Sequence, residues 1–494
     1  MDHAPINLRE AQIQRLVVSG FRFQHACHFI LTIRHAAAAR HWLRQLVDHV
    51  TIADGAERTD SAEAHDRKPG VNIAFTWRGL EKLGLAGRYM EVLAEKAPAF
   101  AQGATLRAAQ RLGDTGDSDA EFWEAPFSQQ TAHILLFVFA ASPEALKHQV
   151  AELRRLDPTG GALSGWGHPF EGSHFDPDPA KRRVHFGYRD GITRPRLGGI
   201  HRSGDDIHAP GEFLLGYPND AGYNPWLLAR APEDVGHFFR NGSFCIFRKI
   251  EQHVDRFDSF VDSAVRQLKA QGMADASREY VLAKLCGRWD DGQVVSAQSP
   301  SQPPPPLPPG KPEGINGFDF TEDPKGTGCP FGAHIRRMNP RNDPVVPSRR
   351  RPLIRRGIPY GQPIESSGPG EKRGLLGLFF CASIEDQFEH LLAEWGNKNP
   401  MGTDNRGTTK DPLAGSHGSA PASFEIPMPD GRSRMLTGFD SWTRTRGTAY
   451  GFMPSREALR VIASEHDGAH RGRLPDDCPI CQDLRRRGMM RAEC

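Results

Sequence analysis

No run of apolar residues in this sequence is long enough to cross a bilayer. The longest uncharged apolar stretch, Ile134 to Ala141, falls far short of the ~18 residues a spanning helix needs. An excess of one charge is missing too. The 62 Lys and Arg stand against 60 Asp and Glu, a formal charge of +2, and neither half is one-signed, so the footprint expected of a nucleic-acid binder is absent. Short basic runs such as Arg349–Arg351 and Arg485–Arg487 read as solvated faces. Cysteine is scarce. Eight in 494 residues are too few for a disulfide scaffold, and Cys27, Cys245 and Cys381 sit singly in apolar segments, so a reducing compartment is expected. The N-terminus has no basic segment followed by an apolar one, which argues against a secretory leader and for a cytoplasmic location.

What the sequence does contain fits a folded, loop-rich protein. Its length is roughly three times a ~150-residue domain, so two or more domains are expected. With 38% hydrophobic and 25% charged residues the chain is lean in apolar content yet far from disorder. Glycine (51) and proline (39) together make about 18% of the chain against a usual ~12%, which predicts long irregular segments.

Local patterns suggest a duplicated α+β unit. Residues 13–34 read as β-structure leading into a helix that carries Trp42, Leu43 and Leu46; VNIAFTW (71–77) reads as a further strand. HILLFVFAA (133–141) is a strand followed by a helix with Ser142 as N-cap and Pro143 at its first position. GLLGLFFCAS (374–383) is another strand, and SIEDQFEHLLAEW (383–395) has Ile384, Phe388, Leu391, Leu392 and Trp395 at helical spacing. Between these units lies a proline-rich insertion, 299–314, which favours polyproline II and reads as a surface loop, with docking of a proline-recognising module as the alternative. A last helix, REALRVIASEH, precedes a polar, arginine-rich tail.

Three segments carry chemistry-bearing residues. In HFGYRDGITRPRLGG (185–199), Gly187 and Gly191 bracket Asp190, placing a carboxylate on a tight turn; an ordinary Asp-Gly turn would read the same. In GTGCPFGAHIRRMNPRNDP (326–344), His334 follows small residues that would let a large flat group approach its imidazole, and Arg336, Arg337 and Arg341 follow it. In RPLIRRGIPYG (351–361), Arg355 and Arg356 lie between Ile354 and Ile358 and need anionic partners, which a buried ion pair would equally provide. Histidine, carboxylate and arginine together are the set that peroxide activation on a haem iron requires: an axial ligand, a proton carrier and a fixed cation.

These segments resemble the dye-decolourising haem peroxidases. GYRDG (187–191) matches that family's Gly-x-x-Asp-Gly signature, CPFGAHIRRMNPR (329–341) is similar to its proximal-histidine segment and LIRRGIPYG (353–361) to its distal-arginine segment. Further likeness runs through IQRLVVSGF, GEFLLGYPN, NGSFCIFRKIEQ, RGLLGLFFCASIEDQFE and TRGTAYGFMPS, and so spans most of the chain. The resemblance implies an α+β fold of duplicated ferredoxin-like halves, of the dimeric α+β barrel type with long loop insertions. The expected domains are 1–205, 206–460 with the proline-rich insertion, and a tail at 461–494. It implies non-covalent haem b with His334 as axial iron ligand, Asp190 as distal acid–base and Arg355 as distal cation. Leu375 and Phe379 are expected as apolar haem contacts. The implied reaction uses hydrogen peroxide to oxidise bulky aromatic or dye-like reductants in one-electron steps, with Tyr360, Trp395 and Tyr450 as candidate surface relays and a structural role as the favoured reading of each. The alternative is a haem-handling protein with incidental peroxidase turnover. Gly377 departs from the family's bulkier residue and implies a wider or differently packed distal pocket. No nucleic-acid or membrane partner is expected, and oligomerisation is left open.

The tail adds His466, His470, Cys478 and Cys481, whose spacing within each pair suits a zinc tetrad. A redox dithiol or unligated residues are the alternatives. Gln482 after Cys481 excludes a covalent haem attachment there.

Overall fold

Continuous apolar runs form the strands, and their burial on both faces is explained by a sheet packed from both sides. A computed structural model describes residues 4–54, 68–157, 160–201, 206–228, 232–305, 315–344, 351–398, 410–418 and 422–464. The strands are β1 (His25–Ile33), β2 (Gly70–Phe75), β3 (Ile134–Ala140), β4 (Leu163–Ser164), β5 (Phe170–Ser173), β6 (Arg196–Leu197), β7 (Ile207–His208), β8 (Ser243–Gln252), β9 (Ile354–Tyr360), β10 (Gly374–Cys381), β11 (Ser423–Pro427), β12 (Ser433–Thr437) and β13 (Thr443–Met453). Nine of them make one sheet in the order β4-β1-β3-β2-β13-β8-β10-β9, with β5 added to β1. The first half thus places its strands fourth, first, third, second. The four long strands of the second half, β8, β9, β10 and β13, repeat that order. A ferredoxin-like order occurs twice, and the halves meet where Phe75 pairs with Phe452.

Side-chain alternation divides the core. Along β3, Leu135, Phe137 and Phe139 join Phe247, Leu376, Leu378 and Phe380 in one cluster. Ile134, Leu136 and Val138 face the other way, against Trp42, Leu43 and Leu46 of helix Ala36–Leu46 and Leu146 and Leu153 of helix Pro143–Arg155. Each such side chain contributes about 1.5–3 kcal/mol on burial. Ser142 caps its helix as expected, its hydroxyl accepting from the Ala145 N–H at 3.1 Å. A third cluster joins helices Val254–Ala270 and Arg278–Cys286 to the β11–β12 hairpin.

Two local expectations are corrected. Arg15–Val18 is a helical turn rather than strand, because the buried Gln14 fastens the segment crosswise through Ile73 and Pro454 instead of along a strand edge. The stretch expected as an α-helix at 383–395 is wound as π-helix over Ile384–Glu389 and Leu391–Gly396. Gln387 explains the wider winding: its amide accepts from Ala382 and Ser383 and donates to Glu212 and Pro352 carbonyls. Residues 299–305 of the proline-rich insertion are irregular, and 306–314 lie outside the described residues. Among the described residues no helix is long and apolar enough to cross a membrane.

Candidate active site

The Gly187–Gly191 turn presents Asp190 because both glycines adopt left-handed backbone, φ 83° and 72°. The loop is pinned on both sides. Asp190 N–H donates to the Arg182 carbonyl at 3.0 Å, Arg189 donates to the Asp291 carbonyl at 2.8 Å, and Arg183 forms an ion pair with Asp290. The Asp190 carboxylate accepts from the Gly191 N–H at 2.7 Å. Burial raises its pKa above the usual carboxylate range, and the Gly191 N–H, Arg355, Arg194 and Arg182 offset this only in part.

Arg355 approaches from β9. Its two nearest hydrogen-bond acceptors, the Leu353 and Thr193 carbonyls, are both at 3.4 Å, so the guanidinium is weakly anchored. Burial lowers its pKa, while the carboxylates of Asp190 and Asp206 oppose that shift. Arg356 differs: it donates to the carbonyls of Leu16 and Val18 at 3.3 and 3.4 Å and ties β9 to the N-terminal segment.

His334 opens the short helix His334–Met338. Its Nδ1 lies 2.9 Å from Asp411 Oδ2, the imidazole 34% exposed and the carboxylate 0%. The other oxygen of Asp411 accepts from the N–H groups of Leu413 and Ala414 at 2.9 and 2.8 Å. Burial alone would raise the Asp411 pKa, but the His334 interaction, Arg337 and the Ala414 N–H hold it at about 2. An ionised Asp411 is matched by a proton on Nδ1, so Nε2 is the ring nitrogen not engaged by that carboxylate. The arginines after His334 are clamps. Arg336 is buried between the rings of Phe320 and Phe331 and pairs with Asp343 and Asp323; Arg337 donates to the Trp395 carbonyl at 2.8 Å; Arg341 lies over Phe318.

On β10, Leu375, Gly377 and Phe379 share one face, opposite Pro359, Gly357 and Arg355 of β9. Leu375 and Phe379 are half-buried, whereas Leu376, Leu378 and Phe380 turn into the barrel interior. The Phe379 ring leans across Gly377: a Cβ there would meet its Cε2 at 2.8 Å. The glycine therefore admits the Phe379 ring. Phe379 stacks on Phe388 at 5.1 Å.

Asp190, from the first half of the chain, thus acts electrostatically on Arg355, from the second. Arg288 spans from this side toward the histidine segment, donating to Thr193 and to Asn316, whose carbonyl also receives Arg341. Asp411 escaped the sequence reading. It lies 77 residues beyond His334 in a polar loop, and only an Asp-Pro dipeptide marks it. Tyr360, Trp395 and Tyr450 are not surface residues: Trp395 and Tyr450 are buried, Tyr360 half-buried, and Tyr450 donates to Glu389 at 2.9 Å. His466, His470, Cys478 and Cys481 lie outside the described residues, among which no group of three or more metal-ligating side chains occurs. A cavity of about 980 Å³ between residues 4–11 and 209–241 contains none of the expected site residues.

A family model described as the DyP dimeric alpha+beta barrel domain matches residues 12–162. Peroxidase 2 of Mycetinis scorodonius is 26% identical over 492 residues, covering 93% of this chain and 89% of that protein. The multifunctional dye peroxidase DyP2 of Amycolatopsis sp. is 28% identical over 453 residues, covering 86% and 90%. The solved structure of an ancestral D-type dye decolorizing peroxidase superposes with a TM-score of 0.77 at 28% identity, covering 94% of this chain and all of that one.

Proposed function

This chain belongs to the dye-decolorizing peroxidase family, and from that premise we propose that it reduces hydrogen peroxide at a haem held by His334 and draws the electrons from bulky aromatic compounds. The donor set fits the group. A partly exposed histidine with Nδ1 committed to a buried carboxylate is a haem-iron ligand in form. Across the site, Arg355 and Gly357 on β9 and Leu375 and Phe379 on β10 keep open surface within otherwise buried strands, a wall suited to a large flat ligand.

Haem, when bound, supplies the iron at which peroxide is activated and the capacity to hold oxidising equivalents. The protein supplies proton transfer and charge. Asp190 takes a proton from one peroxide oxygen and returns it to the other; its raised pKa makes it a stronger proton acceptor than an ordinary aspartate. Arg355 stabilises negative charge as the O–O bond breaks, and its loose anchoring leaves donors for peroxide. Asp411 orients His334 and strengthens its lone pair. Phe379 and Leu375 present the apolar contacts.

The reading rests chiefly on the His334–Asp411 bond. Its test is the absorption spectrum of the purified protein before and after peroxide. A haem band that His334→Ala abolishes or shifts is expected; a colourless wild-type protein, or a band unmoved in the variant, overturns it. Non-covalent haem b is supported by the lack of a Cys-x-x-Cys-His segment, and acid extraction of the pigment checks it.

We take 1–205 and 206–460 as the two domains, supported by the repeated strand order, so that Asp190 comes from the first and Arg355 and His334 from the second. A cytoplasmic setting is supported by free thiols at all five cysteines among the described residues. For the tail, zinc rests on spacing alone, and elemental analysis decides it.

A further inference from the structure

Reducing one hydrogen peroxide to two waters consumes two electrons and two protons. When the reductant gives up electrons without entering the pocket, the protons need a route of their own. A buried histidine held between two carboxylates lies between Arg355 and the open cavity.

His208 lies on β7, which pairs in parallel with β6 through Arg196 N–H to Asp206 and Gly198 N–H to His208 carbonyls, at 2.8 and 2.7 Å. Its side chain is 3% exposed. Nε2 is 3.1 Å from Asp206 Oδ1, and Nδ1 is 2.6 Å from Asp220 Oδ2. Asp206 is 5% exposed and its charge acts on Arg355, the guanidinium on which Asp190 also acts. The Thr193 carbonyl that receives Arg355 lies three residues before Arg196, so the two sites share one loop. Asp220 is 25% exposed and lines the cavity of about 980 Å³ with Glu10, Tyr217, Asn219, Arg240 and Asn241. It is fixed by the Ala209 N–H on Oδ1 at 2.6 Å and by its own N–H to Glu212 at 3.0 Å. Arg240 is committed to the Gly216 carbonyl and the face of Tyr217.

We propose that Asp220, His208 and Asp206 form a proton conduit from this cavity to the Arg355 side of the active site. The inference rests on the peroxidase reading above. In each passage Asp220 takes a proton from water in the cavity and delivers it to Nδ1, and the Nε2 proton leaves for Asp206; a reorientation of the side chain that exchanges the two ring nitrogens between the carboxylates then turns the remaining N–H toward Asp206 and a bare nitrogen toward Asp220, and nothing is oxidised or reduced. Burial alone would lower the His208 pKa, but the two carboxylates raise it, so the cationic form the passage needs is accessible. From Asp206 the proton reaches Asp190 across the space both share with Arg355.

The test uses the haem-loaded protein with His208→Gln and Asp220→Asn. The haem band is read first: its absence from the wild type would fail the peroxidase reading itself, whereas its presence in all three proteins isolates the conduit. Peroxide turnover is then followed with ferrocyanide, an electron-only donor, in H2O and D2O and with added imidazole, together with the rate of cyanide binding, which must discharge a proton from HCN. The expected result is a loss of about tenfold in both rates for each variant, a larger solvent isotope effect, and recovery by imidazole in His208→Gln. Unchanged rates overturn the proposal. So does a loss that neither D2O nor imidazole alters, which would make the three residues a structural clamp.

Discussion

The two sides of the site are built on opposite principles. His334 is held by a 2.9 Å bond to a fully buried carboxylate, itself fixed by two backbone N–H groups and flanked by clamped arginines. Arg355 reaches its acceptors only at 3.4 Å, and Asp190 stands on a turn between two left-handed glycines. On the proposed reading His334 is a metal ligand, which needs one orientation and is served by rigidity. Groups that pass protons and meet incoming charge need unspent hydrogen-bonding capacity, which weak anchoring preserves.

The sharpest way to break this contrast is to disable the loose side without touching the rigid one. Asp190→Asn keeps the shape and the Gly191 contact but removes the base, and the peroxide step is expected to slow by about a thousandfold with the haem spectrum intact. In the wild type the same step should fall off as pH drops through the raised Asp190 pKa, and a rate that stays constant down through the ordinary carboxylate range would count against Asp190. The rigid side is tested by Asp411→Asn, which withdraws the charge behind His334. Haem affinity or turnover should drop by roughly ten- to a hundredfold, and the iron's reduction potential should rise, a change that a purely structural role would not produce. Arg355→Lys is the mildest of the three: it retains charge but loses the planar fork, so peroxide reactivity should fall by about tenfold while the melting temperature barely moves, since only two long hydrogen bonds are lost.

What was legible in the sequence divides along the same line. Asp190, His334 and Arg355 stand in segments whose local chemistry is distinctive: glycines that permit a left-handed turn, small residues before a histidine, arginines between β-branched residues. Asp411, Asp206, His208 and Asp220 meet their partners only on folding, and apart from the Asp-Pro dipeptide at Asp411 nothing in their neighbours marks them. The strands were readable because β3 and β10 are apolar without interruption. The segment at 13–18 misled because its apolar residues Leu16, Val17 and Val18 bury themselves at the barrel's end, where the crosswise anchor of Gln14 decides the backbone. The π-helical winding at 384–396 is likewise imposed by one buried amide, Gln387, whose four hydrogen bonds involve residues up to 175 positions away.

The smallest effect concerns stability at acid pH. His28 projects from β1 into the barrel interior, within 5.1–5.8 Å of the rings of Phe137, Phe139 and Phe247. Burial lowers its pKa from 6.5 to about 3, and His133 and His174 fall for the same reason to about 4 and about 3. Because the folded value lies below the unfolded one, the unfolded chain binds protons first. The stability associated with neutral His28 is complete above pH 6.5 and erodes by about 1.4 kcal/mol for each pH unit below it, until the folded form also protonates near pH 3. Asp411 adds a second loss at lower pH, below the ordinary carboxylate pKa and down to about 2. The melting temperature should therefore decline steadily from pH 7 to pH 4. In His28→Leu that decline should flatten, the variant gaining on the wild type as pH falls; parallel curves for the two proteins would show that His28 does not carry this proton linkage.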